Sequence, residues 1–197
     1  MGRRYRRFRS IQARFRHYLT ILTFPGVVAH EYAHKRFAER YNMPIEEVSY
    51  FQLDDDGKYG YVKHGVSKRF THNFFIAFAP LLLNSLFAFL SFLTIAAIHV
   101  ESGLPTLRWP PSRLAVGTVL IGWFGVSCAL HAIPSDGDAD NVLNNVKRQW
   151  YNPLAILSIP FVLVIKLVNR LNVLGLDIVY AAGVAGTALV VARRVFA

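Results

Sequence analysis

Residues 74–98 read FFIAFAPLLLNSLFAFLSFLTIAAI, twenty-five residues without one charged side chain. A helix needs about 20 predominantly apolar residues to cross the hydrocarbon core of a bilayer, so this stretch predicts a membrane-spanning helix. Three further apolar runs follow at 114–133, 154–168 and 173–192. The run at 154–168 is short and needs its flanks, with Lys166 reaching for the interface. A fifth run, at 18–33, precedes them; it is interrupted by Pro25 and Gly26 and is followed directly by His34. Composition agrees with this pattern: 17% of the 197 residues are charged, against about 25% in soluble domains. The fold class read from these runs is all-α, a polytopic membrane helix bundle of four to five membrane helices. Intrinsic disorder is excluded and an ordinary soluble enzyme is not expected. A single cysteine, Cys128, excludes a disulfide framework and a Cys-based zinc finger.

The formal net charge of +10 is concentrated at the start, where residues 3–16 hold seven arginines and no acid. Tyr5, Phe8, Ile11 and Phe15 recur there at roughly helical spacing. Residues 1–17 therefore read as a basic amphipathic segment on an anionic membrane surface. Such runs also bind phosphates, but hydrophobic segments follow at once, and no nucleic-acid partner is expected. No small-residue cleavage site follows either, so the segment is not read as a signal peptide.

Between the first two runs the period changes. Residues 48–53 and 58–63 are rich in aromatic and β-branched side chains and flank Asp54-Asp-Asp-Gly57, which predicts a β-hairpin over 48–63. A calcium loop would need ligand spacing and a terminal Glu that are missing, so the aspartates read as a solvated turn. The remaining organisation is a membrane core over 18–145 and two C-terminal membrane helices within 146–197. If all five runs cross, Lys and Arg divide evenly, eleven to each side. If residues 18–34 dip into the membrane and return, the division is 18 against 4, the bias that the positive-inside rule favours.

The chemistry is concentrated in His30-Glu-Tyr-Ala-His34. Residues four apart share a helix face, so both imidazoles can reach one metal ion. Glu31, beside the first histidine, can then take a proton from a water at that metal, the HExxH arrangement of two zinc ligands and a general base. Ionisable groups inside an apolar run are costly and point to function. Catalytic zinc sites typically use three protein ligands, and His131-Ala-Ile-Pro-Ser-Asp136-Gly-Asp138-Ala-Asp140 supplies candidates. Carboxylates are reasonable partners to two imidazoles. The alternative for any one of them is an acidic loop in which Asp136 or Asp140 caps the next helix. A third feature, Ala79-Pro-Leu-Leu-Leu-Asn84, places a proline that frees a backbone carbonyl and an amide that needs a buried partner. Packing accounts for it equally well.

These three elements stand in the order found in the site-2 protease family of intramembrane zinc metallopeptidases, and the chain resembles its small, minimal prokaryotic members over residues 18–145. The family's third motif commonly reads Asn-x-x-Pro followed by Leu-Asp-Gly. Here His131 stands where the Asn would be, and Pro134 is followed by both Asp136 and Asp138. Asp136 mimics the Asp-Gly pair, whereas Asp138 better matches the Pro-to-Asp distance and is preferred. The resemblance implies one Zn2+ per chain on His30, His34 and Asp138, with Glu31 as general base. It further implies helices over 18–34, 72–98 and 114–133 as the catalytic core. His131 and Asn84 are candidates for a hydrogen bond to the transition state or substrate. The implied activity is hydrolysis of peptide bonds in membrane-associated protein or peptide substrates, in a multi-pass protein of the cell membrane. The hairpin would hold an extended substrate by β-augmentation. The rival is a non-enzymatic membrane protein with a metal-binding or transport site, which would have no need of a base at Glu31.

Overall fold

The computed structural model of the chain describes residues 14–53, 59–102, 112–172 and 175–196. The first thirteen residues of the basic segment and the turn at 54–57 lie outside them. Among the described residues are seven helices and one small sheet: α1 (14–22), α2 (Phe24–Arg40), β1 (Ile45–Ser49), β2 (Tyr61–His64), α3 (Phe70–Ser102), α4 (Arg113–Leu130), α5 (Asp136–Arg148), α6 (Pro153–Leu171) and α7 (Leu176–Phe196). By length and composition α3, α4, α6 and α7 can each cross a membrane, the signature of a multi-pass membrane protein. α2 is not among them.

The first apolar run is not one helix. It breaks at Thr23, because Pro25 has no N–H for the Ile21 carbonyl and Thr23 turns to a non-helical conformation with φ −105° and ψ 29°. α2 then runs on well past residue 34. It ends at Arg40, and two residues on stands Asn42, the one described non-glycine residue with positive φ, 55°. The Asn42 and Met43 N–H groups bond back to the Glu39 and Ala38 carbonyls at 3.0 and 2.9 Å, satisfying the helix end. The third run ends at Leu130 instead of 133, since the residues before Pro134 are biased away from helix. A short polar helix, α5, follows at once. Its cap is neither Asp136 nor Asp140 but Ser135, whose hydroxyl accepts from the Asp138 N–H while the Asp138 carboxylate accepts from the Ser135 N–H.

The hairpin is displaced from its expected register. β1 and β2 pair antiparallel, Glu47 with Lys63, Val48 with Val62 and Ser49 with Tyr61. The first strand thus lies about three residues earlier than the aromatic pattern indicated. The Glu47 carboxylate supports this register: it accepts from Lys63 Nζ at 2.5 Å and from the Tyr61 hydroxyl across the strands.

α3 is the mast of the bundle. Its 33 residues extend about 50 Å at 1.5 Å per residue, more than the ~30 Å hydrocarbon core. Its first half packs Phe70 and Ala77 against Ala139, Val142 and Val146 of α5 and Val162 of α6. Its second half packs Ala88 against Ala29, Cys128 and Ala129, with Ala181 and Val184 of α7 beside them. Lys166 of α6 pairs with the exposed Asp140 of α5.

Small residues lie inside and large apolar ones outside. Ala33, Ala38, Ala79, Ala88, Ala129 and Ala188 are fully buried, while Leu82, Leu86, Leu90, Leu120 and Leu157 are about half exposed or more. That inversion suits helices packed by close approach in lipid. Among the described glycines the tightest is Gly26, where a Cβ would lie 1.9 Å from the Ser127 carbonyl oxygen. Gly26→Ala is therefore expected to lower stability by about 1–3 kcal/mol or more. Gly117→Ala in α4, which meets nothing within 4 Å, is expected to be neutral. Thermal unfolding of the two variants in detergent checks the contrast.

Candidate metal centre

His30 and His34 stand one turn apart on α2, with their Nε2 atoms 3.2 Å from one another. Each ring is fixed from behind by a backbone carbonyl. His30 Nδ1 donates to the His131 carbonyl at 2.8 Å, and His34 Nδ1 donates to the Ile76 carbonyl at 2.9 Å. Both carbonyls are available for a physical reason. His131 caps the end of α4, where terminal carbonyls have no helical partner. Ile76 lies four residues before Pro80, which has no N–H to give it.

With Nδ1 carrying the proton on each neutral ring, both Nε2 atoms present lone pairs. Two lone pairs facing each other at 3.2 Å with no hydrogen between them repel, unless a cation lies there. The third donor is anionic. Asp138 Oδ1 lies 3.3 Å from His34 Nε2, and Asp138 Oδ2 lies 3.8 Å from His30 Nε2. Ligand atoms 2.0–2.1 Å from a tetrahedral zinc stand about 3.3–3.4 Å apart, so the spacing and the chemistry of the donor set fit a metal ion. His30, His34 and Asp138 form a possible metal-binding triad.

The three acids of the second cluster take different parts. Asp138 Oδ2 accepts from the Ser135 N–H at 2.8 Å and from the Ser135 hydroxyl at 2.7 Å, which fixes the carboxylate and leaves Oδ1 toward the imidazoles. Asp136 accepts from Asn169 Nδ2, and Asp140 pairs with Lys166. Burial acts to raise the Asp138 carboxyl, but His34 and His30 hold it well below the usual carboxylate range. One residue thus closes the capping box of α5 and completes the triad.

Glu31 lies beside this group, 8% exposed. Burial pushes its carboxyl up to about 7, with His30 opposing and Asp138 adding to the rise. Gly60, just before β2, presses on it, since a Cβ there would meet Glu31 Cγ at 2.7 Å and the Tyr50 carbonyl at 3.0 Å. Glu31, the triad and residues 59–64 all line one cavity of about 960 Å³. α1 lines this cavity with Arg16, Leu19 and Thr20. It is tied down by the Arg16 guanidinium on the Asn172 carbonyl and by His17 Nδ1 on the Tyr59 hydroxyl at 2.7 Å.

The other two predicted site residues stand behind the triad with their side chains already hydrogen-bonded. His131 lines the cavity. Thr23 Oγ1 donates to the Leu19 carbonyl at 2.7 Å and so accepts from His131 Nε2, 2.9 Å away. Burial, helped by His30, pushes the His131 imidazole down to about 4. Asn84 is fully buried and sends its amide N–H groups to the Gly26 carbonyl at 3.1 Å and the His131 carbonyl at 3.0 Å. Ser135, Gly60 and Thr23 are the site groups that sequence reading passed over, whereas the Ile76 carbonyl is the one that Pro80 frees. Ser135 carried a signal, an acid three residues after a serine at a helix start.

Fold and site together define a multi-pass membrane protein with a candidate His-His-Asp metal centre. Comparison of the chain with family models, with curated proteins and with solved structures finds no match.

Purified protein exposed to zinc is expected to hold about one ion per chain, measured by elemental analysis, and His30→Ala and His34→Ala to hold none. Asp138→Ala should weaken retention far more than Asp136→Ala. A severe Asp136→Ala with a silent Asp138→Ala would show that the wrong carboxylate has been assigned.

Proposed function

We propose that this chain is a zinc-dependent intramembrane endopeptidase of the site-2 protease type, acting on membrane-associated protein or peptide substrates in the cell membrane. The observation that carries the reading is Glu31 beside His30, His34 and Asp138 in one cavity walled by β2. The adjacency of a buried carboxylate to a metal triad is what hydrolysis requires and what storage or transport of a metal does not.

A zinc ion held by His30, His34 and Asp138 would supply Lewis acidity, making a water acidic enough to ionise near neutral pH and polarising a carbonyl. The chain's own residues do the rest. Glu31 takes a proton from the attacking water as the C–O bond forms, and delivers it to the amine nitrogen as the C–N bond breaks. The products are a carboxylate and an amine. Among the described residues β2 pairs with β1 along one edge only, and its residues Tyr61 to His64 line the cavity. An extended peptide added along the free edge would present its backbone to Glu31. This matters because a peptide bond within a membrane helix is hydrogen-bonded and shielded, and has to be unwound before attack.

Gly60 belongs to the same arrangement. It lets the strand backbone reach Glu31 without a side chain between them.

The test is purified protein in detergent incubated with zinc and a set of synthetic transmembrane-segment peptides, with cleavage read by mass spectrometry. Glu31→Gln is expected to retain zinc and lose cleavage by at least about 100-fold. Gly60→Val is expected to retain zinc and lose cleavage in the same way, by displacing Glu31. Zinc retained with cellular function unchanged in Glu31→Gln, or no cleavage by the zinc-loaded wild-type chain, would sink the protease reading in favour of a metal-binding or transport role.

A further inference from the structure

Each histidine of the triad depends on a backbone carbonyl, and each of those carbonyls is governed by one residue of α3. We propose that Pro80 and Asn84 are positioning residues for the metal ligands, Pro80 acting on His34 and Asn84 acting on His30. The inference rests on the metal reading of the triad and adds two residues that touch neither the triad nor Glu31 directly.

For His34 the argument is about a missing donor. In a continuous helix the N–H of residue 80 would bond the carbonyl of residue 76. Pro80 has no N–H, and its ring crowds that carbonyl away from the helix axis. The freed Ile76 oxygen is the one that His34 Nδ1 reaches at 2.9 Å. An ordinary residue at 80 would compete with the imidazole for this acceptor, and His34 would lose what holds its Nε2 toward the metal.

For His30 the argument is about a carbonyl held in place. Asn84 is one turn beyond Pro80 on the same face of α3. Its Nδ2 lies 3.0 Å from the His131 oxygen and 3.1 Å from the Gly26 oxygen. Two carbonyls accept and neither donates, so the amide nitrogen has to face them. The His131 oxygen therefore receives two donors, Asn84 and His30 Nδ1. Since Gly26 is one turn before His30 on α2, the same amide sets the start of the ligand helix against the end of α4. Its own oxygen, Oδ1, is buried without a hydrogen-bond partner among the described residues. A leucine would fill that space without stranding an acceptor, so packing alone does not call for an amide.

The experiment measures zinc affinity by competition with a chromophoric chelator, and the visible spectrum of the cobalt-loaded protein, on full-length chain in detergent. Pro80→Ala and Asn84→Leu are compared with wild type and with Ser85→Ala, a control that removes a bond to Tyr180 from the same turn of α3. Both variants are expected to bind zinc about 10–100-fold more weakly than wild type, with altered cobalt bands at saturation and unchanged helix content. Ser85→Ala should stay within about twofold. Pro80→Ala is the sharper arm, because it restores a helical hydrogen bond. Its unfolding temperature should hold or rise while metal affinity falls, a split that a merely structural proline would not give. It also keeps the inference testable should Asn84→Leu fail to fold. Wild-type affinity and wild-type cobalt bands in folded Pro80→Ala would overturn the assignment for His34, and the same result in folded Asn84→Leu the assignment for His30. A wild-type chain that takes up neither zinc nor cobalt removes the metal reading itself, which is a different failure.

Discussion

A backbone carbonyl packed among helices and left without a helical donor needs another partner, and the site is organised around two such carbonyls. One is at Ile76, made free by Pro80; the other is at His131, made free by the end of α4. Each is satisfied by a histidine Nδ1–H. The same bonds leave both Nε2 atoms as lone pairs 3.2 Å apart, beside a carboxylate. Backbone satisfaction and construction of the donor set are therefore one event. Neither requirement could be met in this way by a straight, uninterrupted α3 and an unbroken α4–α5.

The helices have to come close for those bonds to form, and the packing is arranged for it. Gly26 lets α2 lie against the Ser127 carbonyl of α4, and fully buried alanines line α2, α3 and α4. Large side chains are turned outward, where lipid solvates them as well as protein would. On the polar side, the Ser135–Asp138 capping box starts α5 and aims the carboxylate at the imidazoles. The hairpin closes the other side, with Gly60 against Glu31. The result is one cavity lined by residues of β2, α2 and α1, in a chain that exposes many large apolar side chains.

Much of this was legible from local pattern. Apolar runs longer than about 17 residues announce membrane helices regardless of their partners. The His30 to His34 spacing puts two imidazoles on one face of any helix that contains it. Where the reading slipped, a local signal had met a tertiary one. The run at 18–33 looked continuous because hydropathy does not register a missing N–H at Pro25. The aromatic stretch at 48–53 looked like a strand, but the pairing follows the Glu47–Lys63 contact. Asp136 or Asp140 looked like a cap, yet the serine before them took that position and recruited Asp138.

By itself, the sequence determined that the chain is a helical membrane protein, that two histidines and a glutamate share one turn of helix, and that α3 carries a proline and an asparagine four residues apart. Those properties depend only on side-chain hydropathy and the period of the helix. Tertiary structure decided which of three aspartates joins the histidines, which carbonyls orient them, and what Asn84 does with its amide. Those contacts link positions 34 and 76, 30 and 131, 34 and 138, far apart in the chain. They depend on the axial register of α2 against α3 and α4, which is set by how closely Gly26 and the buried alanines let the helices approach.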